Sequence, residues 1–309
     1  MSNLWMRKYE FICKGIFTDP LTVKFSIPFS DTSDTTATSI KVYNLKDETI
    51  KEITVRERAI LNAGYVADYG AIFTGYLKNI QTQWEGVDKV TTFTCADAPT
   101  AYLKETFKKT YAKNTKASLI AREVAAFAGL KIGSIALPVD FTYRRGKTLN
   151  GKPKTILEGL AKDCKAKMHI TKGALYMVHK NAGIGTGIEI SKETGLINHP
   201  ERIEDEVTET VPSPAVSNSK TTATKQKSEG KDTSDKKKDS KTKKSATTKK
   251  TTTRTGYKLK MLLNPRIDTD VIILLKSKTV TGTFRVEKGE HKGDSSGNEW
   301  FTECEVYPV

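Results

Sequence analysis

Several common sequence signals are missing from this 309-residue chain. The four cysteines, Cys13, Cys95, Cys164 and Cys304, stand far apart and form no CxxC pair, which argues against a zinc site and favours free thiols in a reducing compartment. No apolar run approaches the roughly eighteen residues of a membrane helix. The opening residues MSNLWMRKYEFICKGIF lack the apolar core and cleavage site of a secretory signal. We therefore expect no membrane insertion and no bound metal.

Catalytic patterns are also missing. The four histidines, His169, His179, His199 and His291, are scattered, and no HxxxH, HExxH or Gly-x-Ser-x-Gly motif occurs. His169 and His179 flank one predicted hairpin at positions expected to be exposed. Asp and Glu are plentiful, but none stands in an apolar, cleft-like context that would raise its pKa for glycoside hydrolysis. The chain is predicted not to be an enzyme, with no catalytic residue and no cofactor.

Positive charge is concentrated in one segment. The formal net charge is +15, and residues 217–254 carry thirteen Lys and Arg against four Asp and Glu, a net of +9 that leaves about +6 for the rest. This segment has too little apolar surface to offset its ordering entropy, so we expect it to be disordered in isolation. Because strands are predicted on both sides, it is a loop insertion. It has no aromatic side chain for base stacking, so only weak, non-specific nucleic-acid binding is expected.

Alternating apolar residues predict strands over most of residues 9–98. In LTVKFSIPF one face of the predicted strand carries Leu21, Val23, Phe25 and Ile27, and SIKVYNL repeats the pattern with Ile40 and Val42. Residues 85–88, Glu-Gly-Val-Asp, have the chemistry of a turn between two further strands. Many short strands with Gly-rich turns favour a barrel or a sandwich.

Residues 100–182 show helical periodicity instead. The segment KASLIAREVAAFAG predicts a helix that ends at Gly129 and buries one stripe: Leu119, Ile120, Val124, Phe127 and Ala128. A second helix begins at Pro153 and buries Ile156, Leu157, Leu160, Ala161 and Cys164. MHITKGALYMVHK predicts a hairpin that turns at Lys172-Gly173. The GxGxG run that follows leads into a predicted strand, which argues against a phosphate-binding loop.

Two segments of the chain resemble each other. One begins at Thr74-Gly75 and the other at Thr281-Gly282; Leu77-Lys78 and Phe284-Arg285 stand at the same distance after the two glycines. Both run through a polar hairpin to an aromatic-Thr strand that contains a cysteine, Cys95 or Cys304. We interpret this as an internal duplication, with Gly75 and Gly282 in equivalent places. The alternative is two unrelated antiparallel hairpins that carry Gly at a bulge or a close contact.

With the α+β unit between these segments, the chain resembles the baseplate hub proteins of contractile phage tails, in particular those of defective prophages and R-type bacteriocins. The motif residues that count most are Asn264-Pro265-Arg266-Ile267 and His291, Gly293 and Asp294 with Trp300. VKFSIPFSDTSDTTATSIKVYNL and ILNAGYVADYGAIFTGYL resemble the family's first barrel. The likeness covers nearly the whole chain except 213–255, where the long Lys/Thr insertion departs from the family pattern.

The resemblance implies a mainly β fold with two related, tail-tube-like β-barrels. The expected domains are a first barrel (1–99), a small α+β domain (100–182), a second barrel (183–212 and 256–309) and a disordered basic loop (213–255). It also implies a homotrimer that acts as a symmetry adaptor, since two barrels in each of three subunits make six. Such a ring matches a six-fold tail tube above and a three-fold central spike below.

The implied partners are the terminal ring protein of the tail tube, the central spike protein and the baseplate wedge proteins. The implied location is the baseplate of a virion or bacteriocin particle, assembled in the cytoplasm of a bacterial host. The alternative left open is a protein that binds polyanions, either nucleic acid or cell-wall polymers, through the basic loop.

Overall fold

A computed structural model describes residues 6–212 and 247–309 of the chain. Residues 6–99 form β1 (Arg7–Cys13), β2 (Gly15–Phe17), β3 (Val23–Ser30), β4 (Ala37–Tyr43), α1 (Asp47–Glu52), β5 (Arg58–Tyr65), β6 (Asp68–Glu85) and β7 (Asp88–Ala96). The faces are as predicted, because Val23, Phe25, Ile27, Ile40 and Val42 are all buried. The predicted turn joins β6 to β7 through Gly86, whose φ is +67°.

Residues 100–182 form an inserted domain of helices and small sheets. Its elements are α2 (Thr100–Lys104), β8 (Phe107–Tyr111), β9 (Thr115–Lys116), α3 (Ala117–Phe127), β10 (Lys131–Ile135), β11 (Thr142–Tyr143), β12 (Lys147–Gly151), α4 (Pro153–Asp163), β13 (Ala166–Thr171) and β14 (Ala174–His179). The predicted stripe of α4 is buried, and the hairpin turns at Lys172-Gly173 as expected.

The predicted stripe of α3 is partly wrong. Leu119 and Phe127 are 50% and 42% exposed, although Ile120 and Val124 are buried as predicted. The buried face is completed instead by small residues, Ala117, Ala121 and Ala125. Periodicity alone favours the larger apolar side chains, whereas the observed packing places the alanine side of α3 in the core that it shares with α4.

The last part of the chain contains β15 (Ile184–Ser191), a 3-10 turn (Lys192–Thr194), β16 (Glu201–Pro212), β17 (Thr247–Leu262), β18 (Val271–Lys276), β19 (Thr281–Asp294) and β20 (Trp300–Pro308). The GxGxG run leads into a strand, as expected, although β15 begins earlier than predicted, at Ile184, so that only Gly183 of the three glycines precedes it. Because β17 begins at Thr247, residues 247–255 are strand and were wrongly assigned to the disordered loop. The rest of that predicted loop, 213–246, lies outside the described residues.

The described residues form two compact units. The larger contains the described residues up to Ile203 and those from Thr255 onward, and the smaller contains the described residues between Glu204 and Arg254. In the smaller unit β16 and β17 are neighbours, and Arg254 forms an ion pair with Asp205 at 3.7 Å. Within 6–212 and 247–309, no helix is both long enough and apolar enough to cross a membrane.

The strand order supports the internal duplication. We call residues 6–99 the first half and the described residues of 183–309 the second half. In the first half the strands lie in the order β4-β7-β6-β5-β1, and in the second half in the order β17-β20-β19-β18-β15. The matched strands occur in the same order along the chain. Neighbouring strands are antiparallel along both paths, except that β15 is parallel to β18 whereas its counterpart β1 is antiparallel to β5. Gly75 and Gly282 thus lie in corresponding strands, β6 and β19.

The residue-level alignment is offset, however. Each of these strands has a bulge, at Lys78 in β6 and at Glu287 in β19. Counted from the bulge, Gly75 is three residues upstream and Gly282 is five, a difference of two. Because side chains alternate with a period of two, this offset keeps the same face inward. Leu77 and Phe284 are accordingly both buried.

The two halves are not closed barrels, contrary to the prediction. The main sheet has 13 strands among the described residues and continues from one half into the other through β19 and β3. These strands pair in antiparallel register from Lys288↔Ser30 to Asp294↔Lys24. Closing a barrel requires each edge strand to pair within its own half. Here β3 and β19 use those hydrogen-bonding groups to join the halves instead.

Alanine substitutions at the two matched glycines should differ sharply. A Cβ on Gly75 would lie 2.2 Å from the carbonyl oxygen of Ala96, so β6 and β7 would have to separate. A Cβ on Gly282 would meet nothing closer than the Phe284 ring at 3.3 Å. We expect Gly75→Ala to lower the free energy of unfolding by about 2–4 kcal/mol and Gly282→Ala to change it by less than about 1 kcal/mol. Denaturant titration measures both, and equal losses would contradict the packing difference.

Candidate functional site at the domain junction

At the seam between β3 and β19, glycines of one strand lie opposite aromatic residues of the other: Gly289 pairs with Phe29 and Gly293 with Phe25. Any side chain at Gly289 or Gly293 would clash, because a Cβ there would lie 2.5 Å from the Phe29 ring and 2.1 Å from the Phe25 ring, respectively. The glycines thus let these two rings from β3 lie across β19. Phe25 also contacts Trp300 edge-to-face at 5.4 Å. The segment containing His291, Gly293, Asp294 and Trp300, which carried the family resemblance, therefore forms the seam.

Polar contacts fix the register of this seam. Ser26 donates a hydrogen bond from Oγ to Glu290 Oε1 at 2.6 Å, and Lys24 forms an ion pair with Asp294 at 3.1 Å. His291 is buried and its Nδ1 lies 2.8 Å from Thr302 Oγ1. Burial, reinforced by the charge of Lys172, lowers the pKa of His291 to about 3. This histidine is therefore neutral near pH 7 and acts as a packing residue.

An ionic cluster joins the inserted domain to both halves of the sheet. Asp270, just before β18, accepts hydrogen bonds from Lys167 of β13 at 2.5 Å and from Arg285 of β19 at 2.8 Å. Lys167 also binds Asp31, which follows β3, at 3.1 Å, and Arg285 pairs with Glu287. Buried charges are costly unless they are paired. Lys167 makes both of its ion pairs only when all three parts of the chain are in place.

His169 lies beside this cluster and was wrongly predicted to be exposed. It is fully buried, its Nδ1 is 3.6 Å from Asp270 Oδ2, and its ring stacks on Tyr176 at 5.1 Å. Burial lowers its pKa. Met168 and Ile170 face the core of the inserted domain, while His169 points to the other face of β13 and lies against Asp270. Both faces of this strand are covered, which single-sequence alternation does not reveal.

The Asn264-Pro265-Arg266-Ile267 segment makes the second connection. Asn264 Oδ1 accepts a hydrogen bond from the Arg266 amide, and Arg266 Nε donates to Asp68 of β6 at 3.0 Å. Ile267 is buried in the core of the second half. Just beyond, Asp268 pairs with Lys172 of the inserted domain at 3.0 Å. The motif is therefore an anchor between three parts of the chain.

Asp97 is a titratable group that sequence reasoning missed. It is buried, and its carboxylate accepts hydrogen bonds from the amide and hydroxyl of Thr36. Burial raises its pKa to about 7. It shares a cavity of about 20 Å³ with Asp268. That volume holds one water and cannot admit a sugar ring, so this pair of carboxyl groups has no room for glycoside hydrolysis.

The remaining candidate residues are separate from the junction. All four cysteines are free and buried, as the sequence suggested, and burial raises the thiol pKa of Cys13 to about 11 and of Cys95 and Cys304 to about 12. Such thiols are protonated and act as packing groups. His179 and His199 are exposed. Among residues 6–212 and 247–309, no group of three or more His, Cys, Asp or Glu is arranged to hold a metal ion.

Solved structures show which proteins share this fold. The 43 kDa tail protein of prophage MuSo2 from Shewanella oneidensis matches with a TM-score of 0.58 at 10% sequence identity, over 98% of each chain. A tail protein from Neisseria meningitidis MC58 gives a TM-score of 0.58 at 9% identity, over 98% of this chain and 97% of that one.

A third match is the Escherichia coli c3393 protein, described as a component of the type VI secretion system that is structurally similar to the T4 bacteriophage tail proteins gp27 and gp5. It gives a TM-score of 0.55 at 8% identity, over 97% of this chain and 76% of its own. No protein-family profile and no curated protein matches the sequence. The chain therefore has the fold of these tail proteins, recognisable in the structure at identities of 8–10%.

Removing the charge of Asp270 should destabilise the protein strongly. Asp270 has a φ of +64°, which asparagine tolerates, so Asp270→Asn keeps the backbone and the size but leaves Lys167 and Arg285 without their shared carboxylate. We expect a loss of about 3 kcal/mol in the free energy of unfolding. The matched control is Asp68→Asn, which breaks the more exposed pair with Arg266 and should cost less than about 1 kcal/mol. Similar losses in both variants would argue against a structural role for the cluster.

Asp97 should make stability depend on pH. Because its pKa rises from 3.8 to about 7, the folded protein holds a proton that the unfolded chain releases between these values. Stability contributed by this proton is present at low pH and is lost as the pH rises toward 7. Between pH 4.5 and 7.5 we expect the native chain to lose about 3 kcal/mol relative to Asp97→Asn. Parallel pH–stability curves for the two proteins would refute the shifted pKa, since the titration of His291 is common to both.

Proposed function

We propose that this chain is a structural baseplate hub of a contractile tail, acting as a homotrimeric adaptor between a six-fold tube and a three-fold spike. The observation that carries the proposal is the repeated strand order of the two halves in a chain with the fold of phage tail proteins. A chain that contains the same unit twice presents six such units when three copies form a ring. Single-domain subunits would need six copies to do the same.

The β3–β19 seam suggests how successive units join. One edge of β19 pairs with β18 up to Arg285 and, beyond the Glu287 bulge, with β3. In the other half, the corresponding edge of β6 pairs with β5 up to Tyr76. Beyond the bulge at Lys78, no strand pairs with that edge among the described residues. An unpaired strand edge readily accepts another strand.

A second copy is the occupant that we propose for this edge. Within one chain, the seam is made by a strand of the first half on the edge of the second half, so repeating it between chains gives a head-to-tail contact. A head-to-tail contact either closes into a ring or continues as a filament. Closure after three copies gives alternating intra-chain and inter-chain seams around six related units.

The partners that we propose suit this geometry. A six-unit ring offers one face to the terminal ring protein of the tail tube, and its three-fold symmetry suits a central spike on the other face, with baseplate wedge proteins around it. We place the protein in the baseplate of a phage or bacteriocin particle, assembled in the cytoplasm of its bacterial host. A non-catalytic role is supported by the buried, protonated thiols and by the 20 Å³ cavity around Asp97.

Blocking the free edge of β6 tests the assembly. Glu85 and Asp88 form a hydrogen-bonded pair on either side of a two-residue turn. From there, hydrogen-bonded and non-hydrogen-bonded pairs alternate along β6 and β7. Thr82 and Thr91 form a non-hydrogen-bonded pair, so the Thr82 amide faces away from β7. Thr82→Pro removes that outward amide, and Thr82→Ala is the matched control, because both lose the Thr91 contact. Light scattering should give three times 34.3 kDa, about 103 kDa, for the native chain and Thr82→Ala, and a folded monomer for Thr82→Pro.

Two results would contradict the proposal. A native chain that stays monomeric at every concentration, and is missing from purified tail particles, would exclude the hub role. A trimeric Thr82→Pro variant would place the contact between subunits elsewhere. Near-ultraviolet circular dichroism of Thr82→Pro establishes that the variant is folded before its mass is interpreted.

A further inference from the structure

The inserted domain is far more basic than the rest of the folded chain. Residues 100–182 carry seventeen Lys and Arg against five Asp and Glu, a net charge of +12. Since the whole chain carries +15 and residues 217–254 carry +9, the remaining residues are net negative, at −6. The net charge of +6 outside the basic loop is therefore the sum of +12 in the inserted domain and −6 in the remaining residues. Outside the basic loop, the inserted domain is therefore a positively charged part of an otherwise acidic chain, which gives it an attraction of its own for anionic ligands.

Most of this charge is available to a ligand. Five of the seventeen basic residues form ion pairs: Lys109, Lys147, Lys154, Lys167 and Lys172. The other twelve are all exposed, and none has an ion-pair partner among the described residues: Lys104, Lys108, Lys113, Lys116, Arg122, Lys131, Arg144, Arg145, Lys152, Lys162, Lys165 and Lys180. A solvated basic face of this density attracts polyanions at low salt.

Half of these twelve residues gather around one loop, residues 139–146. Lys116 pairs across β9 and β11 with Thr142, two residues before Arg144, and Gly146 packs against the backbone next to Lys113. Lys162 and Lys165 flank the end of α4, whose Asp163 accepts a hydrogen bond from Tyr143 of the same loop at 2.5 Å. The residues are thus drawn together from three separate stretches of the chain, 113–116, 144–145 and 162–165.

The nearby carboxylates do not neutralise this cluster. Asp163 is engaged by Tyr143 and by Lys147 at 2.8 Å. Asp140 accepts hydrogen bonds from the amide and hydroxyl of Ser118, at 3.0 and 2.8 Å. Both acids therefore hold the loop in shape, and Arg144 and Arg145 stay free for a ligand.

The same loop also presents an aromatic surface. It lines a shallow concavity formed by residues 139–146, in which Phe141 is 43% exposed and Val139 is 49% exposed. Phe141 is held edge-to-face against Tyr143, with the ring centroids 5.0 Å apart. An exposed aromatic ring with a fixed orientation, next to two free arginines, combines the two elements that bind single-stranded nucleic acid, a stacking platform and phosphate-binding cations.

We propose that this concavity, which we call the 139–146 surface, binds single-stranded nucleic acid without sequence preference. Arg144 and Arg145 contact phosphates and Phe141 stacks on a base, while Lys113, Lys116, Lys162 and Lys165 raise the local positive potential. A base-free phosphate polymer has no planar ring for Phe141, so the aromatic residue favours nucleic acid over such a polymer. The surface is distinct from the basic loop, which has no aromatic side chain.

Fluorescence anisotropy of a labelled twenty-nucleotide oligo-dT with the full chain tests the surface. We expect Arg144→Glu/Arg145→Glu to weaken binding at least tenfold and to lower the slope of log K against log salt by about 1.4, the value for two phosphates on a single strand. The matched control is Lys46→Glu/Lys278→Glu, which has the same net charge and reverses two exposed lysines in loops outside the inserted domain. It should weaken binding less than threefold. The basic loop is present in every protein, so its contribution cancels.

Phe141→Ala identifies the ligand class. It should weaken oligo-dT binding about fivefold or more and leave binding of inorganic polyphosphate unchanged, because polyphosphate has no base to stack. Equal weakening by the two double charge reversals would show that only net charge matters, and would overturn the proposal. A Phe141→Ala variant with native affinity for oligo-dT would overturn it too, and would assign the surface to an anionic partner without bases. Arg144→Gln/Arg145→Gln, with an intermediate loss, guards against misfolding of the charge-reversed protein.

Discussion

The pairing of β3 with β19 is the interaction on which the rest of the structure depends. It joins residues 24–30 to residues 288–294, so the first and last parts of the chain share one sheet. Gly289 and Gly293 make it possible, because only a residue without a side chain leaves room for the rings of Phe29 and Phe25. The Glu287 bulge then lets one edge of β19 serve β18 before it and β3 after it.

A set of ion pairs ties the inserted domain to this sheet. Its own core closes around α3 and α4, while Lys167 and Lys172 reach out to Asp270 and Asp268. Paired buried charges contribute little to the free energy of folding, but they require a precise geometry, because any displacement leaves a charge without its partner. This favours one fixed orientation of the domain on the sheet, and the destabilisation expected for Asp270→Asn follows from the same requirement.

Local patterns in the sequence predicted most of the elements, and the long-range pairings explain what they missed. Alternation located β3 and β4, and Pro153 and Gly129 marked helix ends, because these signals depend on neighbours in the chain. The open sheet, the buried His169 and the raised pKa of Asp97 depend on residues far away in the sequence or on a second covered face. The two-residue offset between the repeats leaves inward and outward faces unchanged, so the alternation of apolar residues does not locate it.

The β3–β19 pairing also sets an order of events during synthesis. The partner of β3 is about 260 residues downstream, so the ribosome must complete almost the whole chain before this strand finds its neighbour. Until then one edge of β3 is unpaired, and an unpaired strand edge readily associates with other nascent chains. The inserted domain, whose contacts are mostly local, can fold first and carry the growing chain in soluble form. Its high positive charge would serve that stage as well, by keeping unfinished copies apart.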